Sequence, residues 1–302
     1  MFELLLSGNT GSKDTISGVE VLNPSTAMTA PARDIKAINY GPYIYTFGGL
    51  LALSTVSSAE LWRYHVTDNT WELVSTAPTA NRYPHMVVFE EKIYIFLGGG
   101  ASYQTYDLVT GIWESFTVSG TAVVPRYGCT FVYNGKIWTI GGPNATNVGV
   151  SGLYTLENNT WVLQFAVSRA NIYLAGSIKD NKLYTLFGNI SSTLRTDGAV
   201  YDLNTGSQIT LPNYSEINGH QSNQVVTYKD KIFSFGGTVG GGVTLDYVIE
   251  FDPSKNKYAR PMVMPSRKQS MAAVARDEGI FVFSGAASGN SNSIDAALWK
   301  FT

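Results

Sequence analysis

The chain has 302 residues, of which only 15% are charged and 13% aromatic, with 30 Gly, 18 Tyr and a net charge of −2. It is long enough to bury a large core, and its near-neutral balance excludes a global field that would draw it to nucleic acid or an acidic membrane surface. The single cysteine, Cys129, excludes an internal disulfide, and no apolar run approaches the roughly 20 residues of a membrane-spanning helix.

Taken in chain order, the sequence is a repeat. Short apolar strands closing on Gly-Gly or a near relative occupy residues 2–8, 43–49, 93–99, 137–142, 183–189, 232–237 and 280–285. The second glycine positions fall at 8, 49, 99, 142, 189, 237 and 285. A period in the forties to about 50 suits one four-stranded unit per repeat. A second marker runs in phase: Val21/Met28, Tyr64/Trp71, Tyr106/Trp113, Tyr154/Trp161, Tyr201/Gln208 and Phe251/Tyr258 are each seven residues apart. They bracket turn-formers such as TDNT, LVTG and ENNT, which reads as a strand–turn–strand hairpin.

With the strands of each unit lettered a to d from inside to outside, the first unit opens at b (2–7), then c (18–23) and d near Met28. Strand a of units two to six begins near Asp34, Tyr83, Tyr127, Ile172 and Gln221. The last unit has a (268–275), b (280–284) and c (296–301) but no d. That predicts seven units and 26 strands, two short of 28, with three-stranded end units. Native chain lying outside this sequence, or a neighbouring subunit covering the exposed edges, would resolve the same shortfall. The start carries only Leu4-Leu5-Leu6 as an apolar run, without a basic flank, so no signal peptide is expected.

A diglycine after a strand, a Tyr with a Trp spaced behind it, and an Arg opening the first strand resemble the kelch repeat, over essentially the whole chain. The resemblance implies an all-β, seven-bladed kelch-type β-propeller across residues 1–302. Gly188-Asn189 and Ser284-Gly285 in place of the glycine pair, and Gln208 and Met28 in place of the Trp, depart from the pattern. Those units are placed by phase. Strands in a blade alternate direction, so the b–c and d–a connections share one face. The b–c connections are mostly long and rich in Gly, Ser, Asn and Thr, whereas the a–b turns (FEEK, YNGK, KDNK, YKDK) are tight. Variable loops on a rigid scaffold are where binding residues tend to sit, which selects the b–c/d–a face.

On that face Arg33, Arg82, Arg126, Arg169 and Arg267 stand at or just before strand a, with His220 near the same slot. Tyr83 and Tyr127 directly follow two of the arginines. The resemblance implies that such arginines line a pocket for acidic peptides or carboxylated sugars. The guanidinium fork matches a carboxylate, and the tyrosines add stacking area. An arginine in this slot equally serves as a framework residue bonding loop carbonyls. The Trp set reads as outer-strand packing, with Trp113 as its buried example. The glycine pairs read as turn and close-packing devices, because a strand rather than a helix N-terminus follows them. His65, His85 and His220 fall in different units without ligand spacing, and no catalytic set converges, so neither metal nor cofactor is expected.

The expected function is non-enzymatic recognition of a protein segment or glycan, without nucleic acid or membrane insertion. Association with other copies or subunits would run through the end-blade edges. The low charge, polar loops and signal-less start resemble kelch-type proteins of bacteriophage virions and bacterial surfaces, and with neither signal peptide nor spanning segment expected, a cytoplasmic or virion-associated protein is expected. Two alternatives stand beside it: a sugar-handling enzyme similar to the kelch-type sialic acid mutarotases, and a structural subunit of a larger assembly.

Overall fold

A computed structural model describes residues 15–28, 32–51, 56–98, 102–119, 127–142, 151–168, 172–190, 192–287 and 294–302. Among them, six antiparallel four-stranded sheets account for nearly all the regular structure, and the one helical segment is the short 3-10 turn Gly240–Gly242. From inside to outside, blade 1 is Lys36–Tyr40, Tyr43–Phe47, Glu60–His65 and Thr70–Thr76. Blade 2 is His85–Phe89, Lys92–Phe96, Ser102–Asp107 and Trp113–Thr117. Blade 3 is Gly128–Tyr133, Lys136–Gly141, Gly152–Glu157 and Thr160–Ala166. Blade 4 is Ala175–Lys179, Lys182–Leu186, Gly198–Asp202 and Gln208–Thr210. Blade 5 is Gln224–Tyr228, Lys231–Phe235, Tyr247–Asp252 and Lys257–Val263. Each innermost strand touches that of the next blade, and the sixth returns to the first, which makes a closed β-propeller.

Blade 6 corrects the expected count of seven. Its inner three strands are Ala272–Arg276, Gly279–Phe283 and Leu298–Phe301, and its outermost strand is Val19–Leu22 from the start of the chain. Val19 faces Phe301 and Val21 faces Trp299 across the seam. The segment read as strand c of a first unit is therefore the fourth strand of the last one, and the strand d expected near Met28 is absent among the described residues. The predicted strand over 2–7 lies outside the described residues. The neighbouring stretch is also latched to blade 1: Thr26 Oγ1 bonds both the N–H and the C=O of Trp71, and Asn69 Nδ2 donates to the carbonyl of Asn23. The seam thus holds the open edge of Leu298–Phe301, which would otherwise present unpaired backbone groups.

Burial along each blade follows from position in the ring. Second strands such as Lys231–Phe235 and Gly279–Phe283 are buried at every residue, because both faces press on neighbouring blades. Outer strands such as Thr160–Ala166 bury chiefly the Trp near their start. That aromatic is a wedge between blades. Trp71 lies 5.7 Å from Phe283, Trp113 6.3 Å from Phe47, Trp161 5.2 Å from Phe96 and Tyr258 5.9 Å from Phe187, each time reaching the second strand of the preceding blade or the residue that follows it.

The seven-residue spacing marks a facing pair in four cases: Tyr64 with Trp71, Tyr106 with Trp113, Tyr201 with Gln208 and Phe251 with Tyr258. Blade 3 differs. Its c–d turn is only Asn158-Asn159, both with positive φ, so Trp161 faces Leu156 and Tyr154 faces Leu163. The tight a–b turns are present; Glu90-Glu91, Asn134-Gly135 and Asp180-Asn181 all have φ > 0 at both central positions, the twist that suits two-residue hairpins.

Trp113 is only half-buried, whereas Trp161 is 3% exposed. Trp161→Ala is the substitution that should remove a blade wedge, lowering stability by about 3–5 kcal/mol in urea unfolding, with Trp113→Ala costing clearly less.

Candidate functional site

The residues just before each inner strand form the mouth of the central channel. Arg33 to Lys36, Tyr83 to His85, Tyr127, Tyr173, Ser222 to Gln224 and Gln269 to Met271 bring all six blades around a cavity of about 180 Å³. Their place in the blade puts this cavity on the b–c/d–a face. Further along, the channel is uncharged, lined by Ala37, Ile38, Met86 to Val88, Val132 and Val226 with Asn39, Ser177 and Thr227 among them.

Each mouth segment is held down by the glycine that closes the second strand. A Cβ on Gly49 would stand 2.7 Å from the Arg33 carbonyl oxygen, on Gly98 2.5 Å from that of Tyr83, on Gly237 2.6 Å from that of Gln221, and on Gly285 2.9 Å from that of Gln269. The residue after the glycine then pairs with the mouth segment: Thr238 with Gln221, Ala286 with Gln269, and Asn189 with Ile172 exchange backbone hydrogen bonds. The structural register of the glycine pair in blades 2 and 4 is therefore Leu97-Gly98 and Phe187-Gly188, one residue earlier than the sequence pattern suggests. Phe187 and Ser284 adopt the positive φ (66° and 49°) that a first glycine takes elsewhere.

Five mouth residues share one backbone conformation. Asp34, Tyr127, Tyr173, Ser222 and Ser270 all have φ between 53° and 63°. This region is costly for a tyrosine. The equivalent residue of blade 2, Tyr83, is spared because Pro84 follows and biases it to extended backbone. The left-handed turn lets the segments bond from blade to blade: Asp34 N–H donates to Ser270 O, Ser270 N–H to Ser222 O, and Leu174 N–H to Tyr127 O. The strain is offset by a belt of hydrogen bonds that fixes the rim.

On this belt Asp34 accepts from Arg82 Nε at 3.0 Å and pairs with Arg33 Nη1 at 3.4 Å, both through Oδ2. The Arg33 Nε donor is buried and has no acceptor among the described residues. The Arg82 guanidinium covers the Tyr83 ring at 4.6 Å. Tyr83, Tyr127 and Tyr173 continue round the rim, with ring centroids 4.7 and 4.1 Å apart. Burial raises the pKa of Tyr83, so its hydroxyl stays protonated.

A second tier stands two residues further along: Lys36, His85, Cys129, Ala175 and Gln224 line a further cavity of about 140 Å³ directly beneath. Burial lowers the pKa of Lys36, opposed by Cys129 and Asp34. It holds His85 well below the usual imidazole range, with the Lys36 charge acting the same way. Burial pushes the Cys129 thiol up to about 11 against the pull of Lys36. Cys129 is thus a thiol that donates to Gly176 O at 3.5 Å.

Of the residues singled out from sequence, the structure gathers Arg33, Arg82, Tyr83 and Tyr127 at the mouth. Arg126 and Arg169 lie outside the described residues. Arg267 is exposed and does not line the cavity. His220 is fully buried behind the rim, where Nε2–H donates to the Gly236 carbonyl and the ring packs 4.8 Å from Phe187. Sequence reasoning passed over Asp34, Lys36, His85, Tyr173 and Gln224. Reading every repeat at the same two offsets from strand a would have found them.

These features define a six-bladed propeller with a polar pocket at one mouth of its channel. The solved structure of YjhT is similar over 91% of this chain and 95% of that one, with a TM-score of 0.75 and 13% sequence identity, a likeness of fold. No family model matches the chain. Among the described residues no helix is long and apolar enough to cross a membrane.

Gly49→Ala should test the clamp on Arg33. Its φ of +88° and the clash with the Arg33 carbonyl predict a loss beyond the roughly 1–2 kcal/mol expected at Gly41, where φ is +56° and no atom lies within 4 Å. Thermal unfolding of the two variants compares them. His220 supplies a pH prediction. Burial lowers its pKa to about 4, so the unfolded chain binds the extra proton first as pH falls. Stability should decline from about pH 6.5 towards 4, by up to roughly 3 kcal/mol from this group. His220→Leu should flatten that part of the Tm–pH curve.

Proposed function

We propose that this protein is a recognition module of kelch-propeller type that binds a carboxylate-bearing glycan at the b–c/d–a mouth of its channel. The observation that carries this reading is the composition of the mouth. Arg33 and Lys36 bring positive charge, Asp34 is the one carboxylate among the cavity-lining residues, and Ser222, Asn223, Gln224, Gln269 and Ser270 supply polar groups suited to hydroxyls. Three tyrosines edge it on one side. A volume near 180 Å³ is below that of the usual drug-sized site, which suits one sugar unit or one side chain at the end of a longer ligand. Tyrosine faces beside amide and hydroxyl donors favour the sugar over an acidic protein segment.

The alternative is a sugar-handling enzyme resembling the kelch-type sialic acid mutarotases. It is supported by the presence of His85 and Lys36, two ionisable groups, in the same channel. A glycan array and an anomer-exchange assay on N-acetylneuraminate separate the two readings. Retention of acidic glycans without exchange is the expected result, with at least a tenfold loss of retention in Arg82→Ala, which releases Asp34 and loosens the rim. Exchange catalysis that disappears in Arg82→Ala would establish the enzyme instead. Retention of acidic peptides alone would favour the protein-segment reading.

A further inference from the structure

The charges at the mouth are not equivalent. Arg33 and Arg82 both lean on the same oxygen of Asp34, so the three together carry a single net positive charge. Lys36 is in no ion pair among the described residues. Its Nζ reaches past blade 6 to Gln224 Oε1 of blade 5, a long contact of 3.4 Å. His85 is 5% exposed and lines both the mouth and the cavity beneath, and neither of its ring nitrogens has a hydrogen-bond partner among the described residues. Lys36 and Gln224 line both cavities as well. The floor of the mouth therefore brings together an unpaired ammonium, a neutral imidazole and an amide, from three blades, with no carboxylate beside them in the lower cavity. A half-buried ammonium with no carboxylate in contact is a costly arrangement, and a ligand anion would relieve it.

From this we infer that the acidic group of the ligand is anchored by Lys36, with His85 and Gln224 beside it, at the floor of the mouth rather than by the arginines at its rim. The ligand enters acid first. Its carboxylate accepts from the Lys36 ammonium and from one ring N–H of His85, and the Gln224 amide can donate to a second oxygen. The sugar ring then lies at the level of Tyr83, Tyr127 and Tyr173, and the remainder of the glycan leaves through the b–c/d–a face. Arg33, Arg82 and Asp34 act as a positioning group that holds the rim. This assignment rests on the glycan-binding reading given above and sharpens it to one end of one sugar.

The test uses the full chain on an array of uronic-acid-capped and sialic-acid-capped glycans, each printed beside its carboxyl-reduced counterpart. Wild type should retain acidic glycans at least tenfold better than the reduced ones. In Lys36→Met that preference should collapse towards parity, while Arg82→Gln should weaken binding and keep the preference. A Lys36→Met variant that keeps the wild-type preference overturns the anchor and leaves the glycan reading standing. A wild type that retains no acidic glycan overturns both. A second measurement avoids mutation altogether: with the best acidic glycan at saturation, acetylation of wild type by acetic anhydride, read by mass spectrometry, should be suppressed at least fivefold at Lys36 and unchanged at the surface residue Lys255. Equal acetylation of Lys36 with and without the glycan overturns the anchor.

Discussion

The pairing of Val19–Leu22 with Leu298–Phe301 is the constraint on which the architecture depends. A propeller blade is a small sheet that cannot bury both its faces alone; it needs a neighbour on each side. A ring meets that need for every blade only if the last one touches the first, and here they touch through blade 6, assembled from both ends of the chain. Closing the ring between distant parts of the chain costs loop entropy that grows only slowly with length. The return is large: Phe281, Phe283, Trp299 and Phe301 are all buried in the sheet that the seam completes.

The ring in turn makes the site possible. No single blade contributes more than a few residues to the channel mouth, yet six copies of one short segment converge there. Two devices hold those segments in place. The closing glycine of the second strand lets the segment lie against its own blade, and the left-handed residue lets it bond to the next. The scaffold is repetitive, and the chemistry is not: the slots carry Asp34, Tyr83, Tyr127, Tyr173, Ser222 and Ser270 in turn. A repeat fold can thus present an asymmetric pocket without altering its framework, which is how binding residues on loops are usually accommodated.

The polarity of the channel is a consequence of the same arrangement. Past the second tier the inner strands present Ala37, Val87, Val132 and Val226 with Asn39, Ser177 and Thr227 among them, and the tunnel becomes uncharged. An entering anion meets its cations within the first two tiers, and no charged residue lines the stretch beyond them among the described residues. Buried His220, behind the rim, and half-buried Cys129, in the second tier, each already donate to a backbone carbonyl.

Much of this was written in the residues. Recurring glycines, the Tyr/Trp spacing and the turn tetrapeptides are local signals, set by backbone conformations and cross-strand pairs that recur in each unit; they defined an all-β propeller and the face bearing its longer loops. The number of blades was not local. Whether residues 18–23 begin a new unit or finish the last depends on a partner nearly the whole chain away, and an isolated strand reads the same in either place. The site divided along the same line. Arg33, Arg82, Tyr83 and Tyr127 stand next to recognisable markers and were legible. Lys36, His85 and Gln224 look like ordinary residues of three inner strands, and only the closed ring, by turning those strands towards a shared axis, makes them neighbours.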